Sequence, residues 1–194
     1  MSSSILPAVW AGVDVGGRRK GFHLALVDAH RLRAGPARVS TVVEAVRWLR
    51  WRSPALVAID SPRMPAPDGA RSRPEERELA RSICNIRYTP ESARLARNRH
   101  YEWIVRGLAL YAALEEAGLP AIECFPTASF TRWAGPRGRQ TRAAWTREAL
   151  AQTGLLGVPT PLGQDGRDAV AAALTARAHE LGLTESFGPI VVPR

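Results

Sequence analysis

The sequence predicts an α/β fold with a mixed sheet, and three observations carry that reading. Two strand-like stretches, residues 8–15 and 21–28, flank the connection Gly16-Gly-Arg-Arg-Lys-Gly21, whose glycines permit the positive φ angles of a tight hairpin. Two further apolar runs, 55–60 and 121–125, alternate with segments of helical period. The stretches between them are long enough for helical crossovers, which parallel strands require.

Each element has its own signal. Arg31 to Ala34 extends the opening hairpin by a third short strand, which Gly35-Pro36 is expected to end. From Ser40 to Arg52 the period becomes helical: Thr41-Val-Val-Glu44 can form a capping box, and Val42, Val43, Val46 and Leu49 share a face. Ala55-Leu-Val-Ala-Ile-Asp60 reads as the clearest buried strand, stopped by Ser61-Pro62. A loop rich in Pro, Gly and Arg runs to about Arg71, and Ser72-Arg-Pro-Glu75 opens a helix with a cap and a first-turn proline. Thr89-Pro90-Glu91 opens another, leading into a long helix with Ile104, Leu108, Tyr111 and Leu114 on its apolar face, ended by Gly118. Ala121 to Phe125 is a fifth strand closed by Pro126; Thr141 to Thr153 and Arg167 to Leu181 are helices; Pro189 to Val192 is an edge strand or a docked tail.

With 194 residues and 45% hydrophobic content, the chain suits one domain spanning 1–194, with a helical and loop insertion around 61–100. The formal net charge of +9 lies entirely in the first half, where residues 1–100 hold 18 basic against 9 acidic residues while 101–194 hold 9 of each. Clustered positive charge points to a polyanionic partner, foremost nucleic acid; a GC-rich coding bias towards Arg accounts for part of the same composition. Two widely spaced cysteines, Cys84 and Cys124, exclude a disulfide framework and a Cys-based zinc site, and indicate a reducing, cytoplasmic setting. The start MSSSILPAVWAGV has no basic leader, and no apolar run approaches the roughly 18 residues that would span a membrane.

Acidic residues in apolar surroundings mark the chemistry. Asp14 interrupts the run Val9 to Val15, and Asp60 stands at the end of the fourth strand. A right-handed crossover through the 40–52 helix makes those strands neighbours, which puts the two carboxylates about 5 Å apart. Two anions that close need a cation, and hard oxygen donors suit Mg²⁺ or Mn²⁺. Each Asp alone has a plainer reading: Asp60 caps the following turn through its side chain. For a third ligand, Asp168 on the Ala-rich helix is one candidate and Asp165 another, although either fits an N-cap or a first-turn anion. Glu123 sits in an apolar strand, where it needs a metal or an arginine. Glu76, beside Glu75, Arg77 and Glu78, fits a solvated, charge-balanced helix face.

The segments Gly12-Val-Asp14-Val-Gly-Gly-Arg-Arg-Lys-Gly-Phe22, Ala58-Ile-Asp60-Ser-Pro62, Glu76-Arg-Glu-Leu79, Ile122-Glu123-Cys-Phe-Pro126 and Asp168-Ala169, in that order, resemble the domain-of-unknown-function 429 family, regarded as predicted nucleases with a ribonuclease H-like fold. The resemblance spans nearly the whole chain and rests on the order of short motifs; Cys-Phe-Pro follows Glu123 where the family more often has an aliphatic residue and Tyr-Pro. It implies a central five-stranded mixed sheet, three antiparallel strands followed by two parallel ones, flanked by helices. It also implies that Asp14, Asp60 and Asp168 hold one or two Mg²⁺ or Mn²⁺ ions, with Glu76 and Glu123 as further acidic site positions of undefined role.

The implied activity is metal-dependent phosphodiester hydrolysis on DNA or RNA. Arg18, Arg19 and Lys20 at the hairpin tip are then candidate phosphate contacts, and Arg87, Arg94, Arg97 and Arg99 a second basic cluster, with Tyr88 and Trp103 as stacking surfaces. The plainer readings are a charged tip kept for solubility and a Trp in helix core; His100 has no evident acidic partner. A homodimer is a further expectation, as for many junction nucleases of that fold. Two other functions stay open. A phosphotransferase of the actin, heat-shock-chaperone and sugar-kinase group also begins with an Asp-Gly hairpin, but closes two such lobes over ATP where this chain has one. A non-catalytic nucleic-acid binder on the same scaffold would tolerate Asn at the Asp positions.

Overall fold

The structure, a computed structural model, describes residues 8–194, and the leader-free reading of residues 1–7 lies outside the described part. Three strands open the chain: β1 (Trp10–Val15), β2 (Phe22–Val27) and β3 (Leu32–Val39). The first two form the expected hairpin, with Val15 opposite Phe22. β3 runs on through Gly35-Pro36 instead of ending there. It can do so because it is the outermost strand, where a missing N–H is tolerated, and because Gly35 takes φ +82 at a register irregularity. A Cβ at Gly35 would lie 2.3 Å from the Leu24 carbonyl oxygen.

Helix α1 (Val42–Arg52) has the predicted capping box: the Glu44 backbone N–H donates to Thr41 Oγ1 at 3.2 Å, and Glu44 Oε2 accepts from the Thr41 N–H at 2.9 Å. It crosses to β4 (Leu56–Asp60), parallel to β1. Helix α2 (Pro74–Ser82) takes Arg73 as its N-cap, one residue later than the sequence suggested, because Glu76 reaches back to the Arg73 N–H. The long helix expected from Thr89 is broken into α3 (Ser92–Arg97), a 3-10 turn at Arg99–Tyr101, and α4 (Glu102–Glu116). Asn98 makes the break: its backbone is extended and its side chain accepts from the His100 N–H at 2.9 Å, a local bond that competes with helix continuation.

Pro126 does more than close β5 (Ala121–Cys124): it is the first residue of α5 (Pro126–Ala134), since proline fits a helix start as readily as a strand stop. Helices α6 (Arg142–Gln152) and α7 (Gln164–Glu180) follow, and then β6 (Thr184–Phe187) and β7 (Ile190–Pro193). The sheet order is β3-β2-β1-β4-β5-β7-β6, so the sheet has seven strands where five were expected. The additional pair is a closing hairpin in which β7 lies inside, parallel to β5, and β6 forms the edge.

Strand alternation divides the core into two layers. Ala11, Val13 and Val15 of β1, Phe22 and Leu24 of β2, and Val57 and Ile59 of β4 face α1 and α4. Trp10, Ala25, Leu56, Ala58 and Cys124 face the Ala169–Ala173 stretch of α7, with Phe130 of α5 and Trp145 of α6 beside it. No helix among the described residues is long and apolar enough to cross a membrane.

Candidate functional site

Asp14 and Asp60 are direct partners in the parallel ladder between β1 and β4, which sets them on one face of the sheet about 4.8 Å apart along the hydrogen-bonding direction. By strand alternation that face is the one that Gly12 and Ala58 share, beneath α7. The approach of α7 is very close. A Cβ at Gly12 would fall 2.1 Å from both the Ala169 carbonyl oxygen and the Ala173 nitrogen, so only glycine allows the helix to seat there. That seating carries Asp168, the residue before Ala169, towards the strand ends.

Asp168 is neither an N-cap nor a first-turn residue. α7 begins at Gln164 with Gly163 as its cap, which places Asp168 a full turn inside the helix and leaves the first-turn position to Asp165. The Asp168 carboxylate accepts from Gln164 Nε2 at 2.9 Å and from Arg142 Nη2 at 3.3 Å. Burial pushes its pKa up to about 6; Arg142 draws it down and the Asp14 charge pushes it up again. Asp60 stands well above the usual carboxylate range, first through burial and then through the charges of Asp14 and Asp168. Asp14 is raised as well, by burial and by Asp165, with His23 acting against them. Three acids therefore disfavour one another's ionised form, the electrostatic condition that a bound cation relieves.

The hairpin adds donors. His23 lies opposite Asp14 across β2, and its Nδ1 is 3.5 Å from Asp14 Oδ2. Lys20 at the tip donates to Asp165 Oδ1 at 2.8 Å, which raises the lysine's own pKa. Asp14, His23 and Asp165 each present one donor atom within 4.8 Å of the others, a spacing that fits a single cation. His23 went unread in the sequence although the signal was present: pairing Val15 with Phe22 puts His23 across from Asp14.

Glu123 and Glu76 lie elsewhere. Glu123 pairs with Ile59 in the β4–β5 ladder, so its side chain leaves the sheet on the face opposite Asp60. There it takes both terminal nitrogens of Arg73, Nη1 at 2.9 Å, and the Arg63 N–H at 2.9 Å. Glu76, expected on a solvated face, is fully buried: it accepts from the Arg73 N–H and Nε, each at 3.1 Å, and from the N–H and hydroxyl of Thr89. Burial works against the charge of Arg73, but the two carboxylates outweigh it and hold the guanidinium protonated. This clasp ties the segment after β4 to β5. The acids are thereby sorted into an aspartate cluster under α7 and a glutamate pair satisfied by arginine on the other layer.

The basic residues separate likewise. Arg18, Arg19, Lys20 and Arg99 line one side of a cleft of ≈ 590 Å³ with Gly17 and Glu102, and Arg18 Nε bonds Glu102 at 2.9 Å. Arg94 and Arg97 are exposed on α3 and form no ion pair among the described residues. Arg87 adjoins a small cavity of ≈ 50 Å³ that Asp60 and Glu123 also border. Trp103 lines the same cavity half-buried, and Tyr88 is exposed. His100 stacks edge-on against Tyr101.

The comparisons extend this picture. The family model described as "Protein of unknown function (DUF429)" matches residues 12–190. Two solved structures of Thermus thermophilus RuvC are similar in fold. One, in complex with a Holliday junction substrate, gives a TM-score of 0.51 at 21% identity; the other gives 0.50 at 20%. Each alignment covers 90% of this chain and 96% of the other. No curated protein matches the sequence. The similarity to RuvC makes the fold ribonuclease H-like.

Proposed function

The chain belongs to the DUF429 family, and from that premise we propose that it is a divalent-metal-dependent nuclease whose centre is the aspartate cluster Asp14, Asp60 and Asp168. The observation that carries this reading is the convergence of three mutually repelling carboxylates on one sheet face, beside a basic hairpin tip. Carboxylate oxygens suit Mg²⁺ or Mn²⁺; among the described residues the donor atoms that lie within 4.8 Å of one another are those of Asp14, His23 and Asp165, so Asp60 and Asp168 would join a shared ion by side-chain adjustment. Such an ion supplies a polarised water and stabilises the charge that builds on a phosphodiester.

The chain's own residues do the rest. Arg142 and Gln164 hold the Asp168 carboxylate in place from two sides. Gly12 lets α7 close down on β1. Arg18, Arg19 and Arg99 offer guanidinium forks to backbone phosphates flanking the cleavage point. The glutamate pair Glu76 and Glu123 acts as structure, through Arg73, since both carboxylates are already saturated with donors.

Nucleic acid is the proposed substrate. A four-way DNA junction is the first form to test, because the T. thermophilus RuvC neighbour is bound to one. A junction nuclease must cut two strands, which favours a homodimer, measurable by light scattering. The test is cleavage of single-stranded, duplex and four-way DNA and of RNA with MnCl₂ or MgCl₂, by wild type and by Asp14→Asn and Asp60→Asn. Metal-dependent cleavage lost in both variants is expected. A second reading has its own support: Lys20 and Arg142 already pair with Asp165 and Asp168, as they would in a binder with a self-neutralised cluster. Binding that survives in both variants, with no cleavage by wild type, would establish that second reading.

A further inference from the structure

We infer that His23 is a metal ligand of this site and makes it select first-row transition ions over Mg²⁺. The inference rests on the metal-centre reading above and adds the identity of a ligand and the kind of ion. Its basis is geometric. His23 projects from β2 directly opposite Asp14, and antiparallel partners share a sheet face, so the imidazole is fixed on the aspartate side. Its Nδ1 is shielded from solvent and has no hydrogen-bond partner among the described residues, although Asp14 Oδ2 is only 3.5 Å away. A buried ring nitrogen beside a carboxylate, with no hydrogen bond between them, lacks the partner that buried polar atoms normally have. A cation shared by the two atoms provides it.

The spacing agrees. Donors about 2.1 Å from one ion stand at most about 4.2 Å apart; Asp14 Oδ2 and His23 Nδ1, at 3.5 Å, meet that limit as they stand, and Asp165, grouped with them within 4.8 Å, needs only a small side-chain shift to join them. Lys20 now bonds Asp165, but its side chain is 63% exposed and free to swing out when an ion arrives. The donor chemistry then decides the ion. Mg²⁺ prefers an all-oxygen octahedral shell rich in water, whereas imidazole nitrogen suits the later, softer divalent ions. An imidazole added to the carboxylates of this site therefore favours Co²⁺ and Mn²⁺ over Mg²⁺, in the order Co²⁺ above Mn²⁺.

The experiment uses the full chain with MnCl₂, CoCl₂ and MgCl₂ alone, without substrate. Calorimetric titration of wild type is expected to show Mn²⁺ bound more tightly than Mg²⁺. His23→Ala should weaken Mn²⁺ binding by about tenfold or more, the scale of losing one supporting group of a metal site, while Mg²⁺ binding changes by less than about threefold. Electron spin echo spectra of Mn²⁺-loaded wild type should carry nitrogen modulation from one imidazole, lost in His23→Ala and in His23→Asn. The wild-type spectrum stands even if a variant folds poorly. Mn²⁺ that binds without nitrogen modulation, and with loss only in Asp14→Asn, overturns the role of His23 and leaves the aspartate site intact. Absence of Mn²⁺ binding by wild type overturns both.

Discussion

Replacing Asp168 by Asn should make the metal-free protein more stable while removing its response to metal. The carboxyl has a folded pKa of about 6 against an ordinary value of 3.8, a gap that corresponds to about 3 kcal/mol. The sign follows from the direction of the shift. A carboxyl raised in the folded state binds more protons there than in the unfolded chain, so ionisation costs stability: the cost is complete above pH 6, fades as pH falls through 6, and is gone below 3.8. Wild type without metal should therefore gain about 1.4 kcal/mol between pH 7.5 and pH 5 from this group alone. Asp14 and Asp60, both also raised, push in the same direction. Asn keeps an oxygen for Gln164 and Arg142 but carries no charge, so Asp168→Asn should be about 1–3 kcal/mol more stable at pH 7.5, an advantage that shrinks by about 1.4 kcal/mol at pH 5. That is roughly 2–4 °C in Tm per kcal/mol for a chain of this size. With Mn²⁺ at 100 times its Kd, wild type gains about 2.7 kcal/mol and the variant should gain almost nothing. Urea titrations at the two pH values, with and without MnCl₂, measure all four quantities. Equal destabilisation of the variant at both pH values would mean that Asp168 is an ordinary structural hydrogen-bond acceptor, and the electrostatic reasoning behind the site would fail.

The remaining expectations follow from packing, the buried clasp and the basic tip. Gly12→Ala forces a methyl into the α7 backbone and should cost about 3 kcal/mol or more, beyond the usual range for overpacking because the obstacle is main chain; thermal unfolding measures it. Arg73→Met leaves Glu76 and Glu123 buried without their cation and should cost about 3–5 kcal/mol, whereas the triple change to Met with Glu76→Gln and Glu123→Gln should recover much of it; the same denaturation assay distinguishes the two. Thr41→Ala removes one arm of the α1 capping box and should cost about 1 kcal/mol. Arg19→Ala should weaken nucleic-acid binding for every sequence alike and lower the slope of log K against log salt by about 1, read by fluorescence anisotropy at several NaCl concentrations.

What could be read from the sequence depended on whether the signal was local. The hairpin, the capping box, the small-residue helix and the adjacency of Asp14 with Asp60 all follow from short patterns plus the handedness of one crossover, and the sheet has them. Of the closing hairpin only the 189–192 segment showed, read as an edge strand or a docked tail; it is β7 and lies inside the sheet, while its partner β6, a four-residue strand before Gly188, was too short to establish a period of two. The helix at Pro126 was hidden because proline marks a start and a stop alike. The fate of Glu123 turned on a finer quantity, its register. Strand alternation flips every side chain with a one-residue slip, so knowing that Glu123 lies in a strand beside β4 leaves its face undetermined; pairing with Ile59 rather than Asp60 sends it away from the aspartates. Once on that face it required a buried cation, and Arg73 supplies one from a helix start fifty residues earlier in the chain. The same rule acts in the other direction on His23, which hairpin register alone brings to the aspartates. Register and the nearest cation, more than residue type, therefore determine which acids of this chain stay free to meet a metal. Glu123 is neutralised by arginine, Asp168 keeps a raised pKa despite Arg142, and Asp60 has the charges of Asp14 and Asp168 set against it.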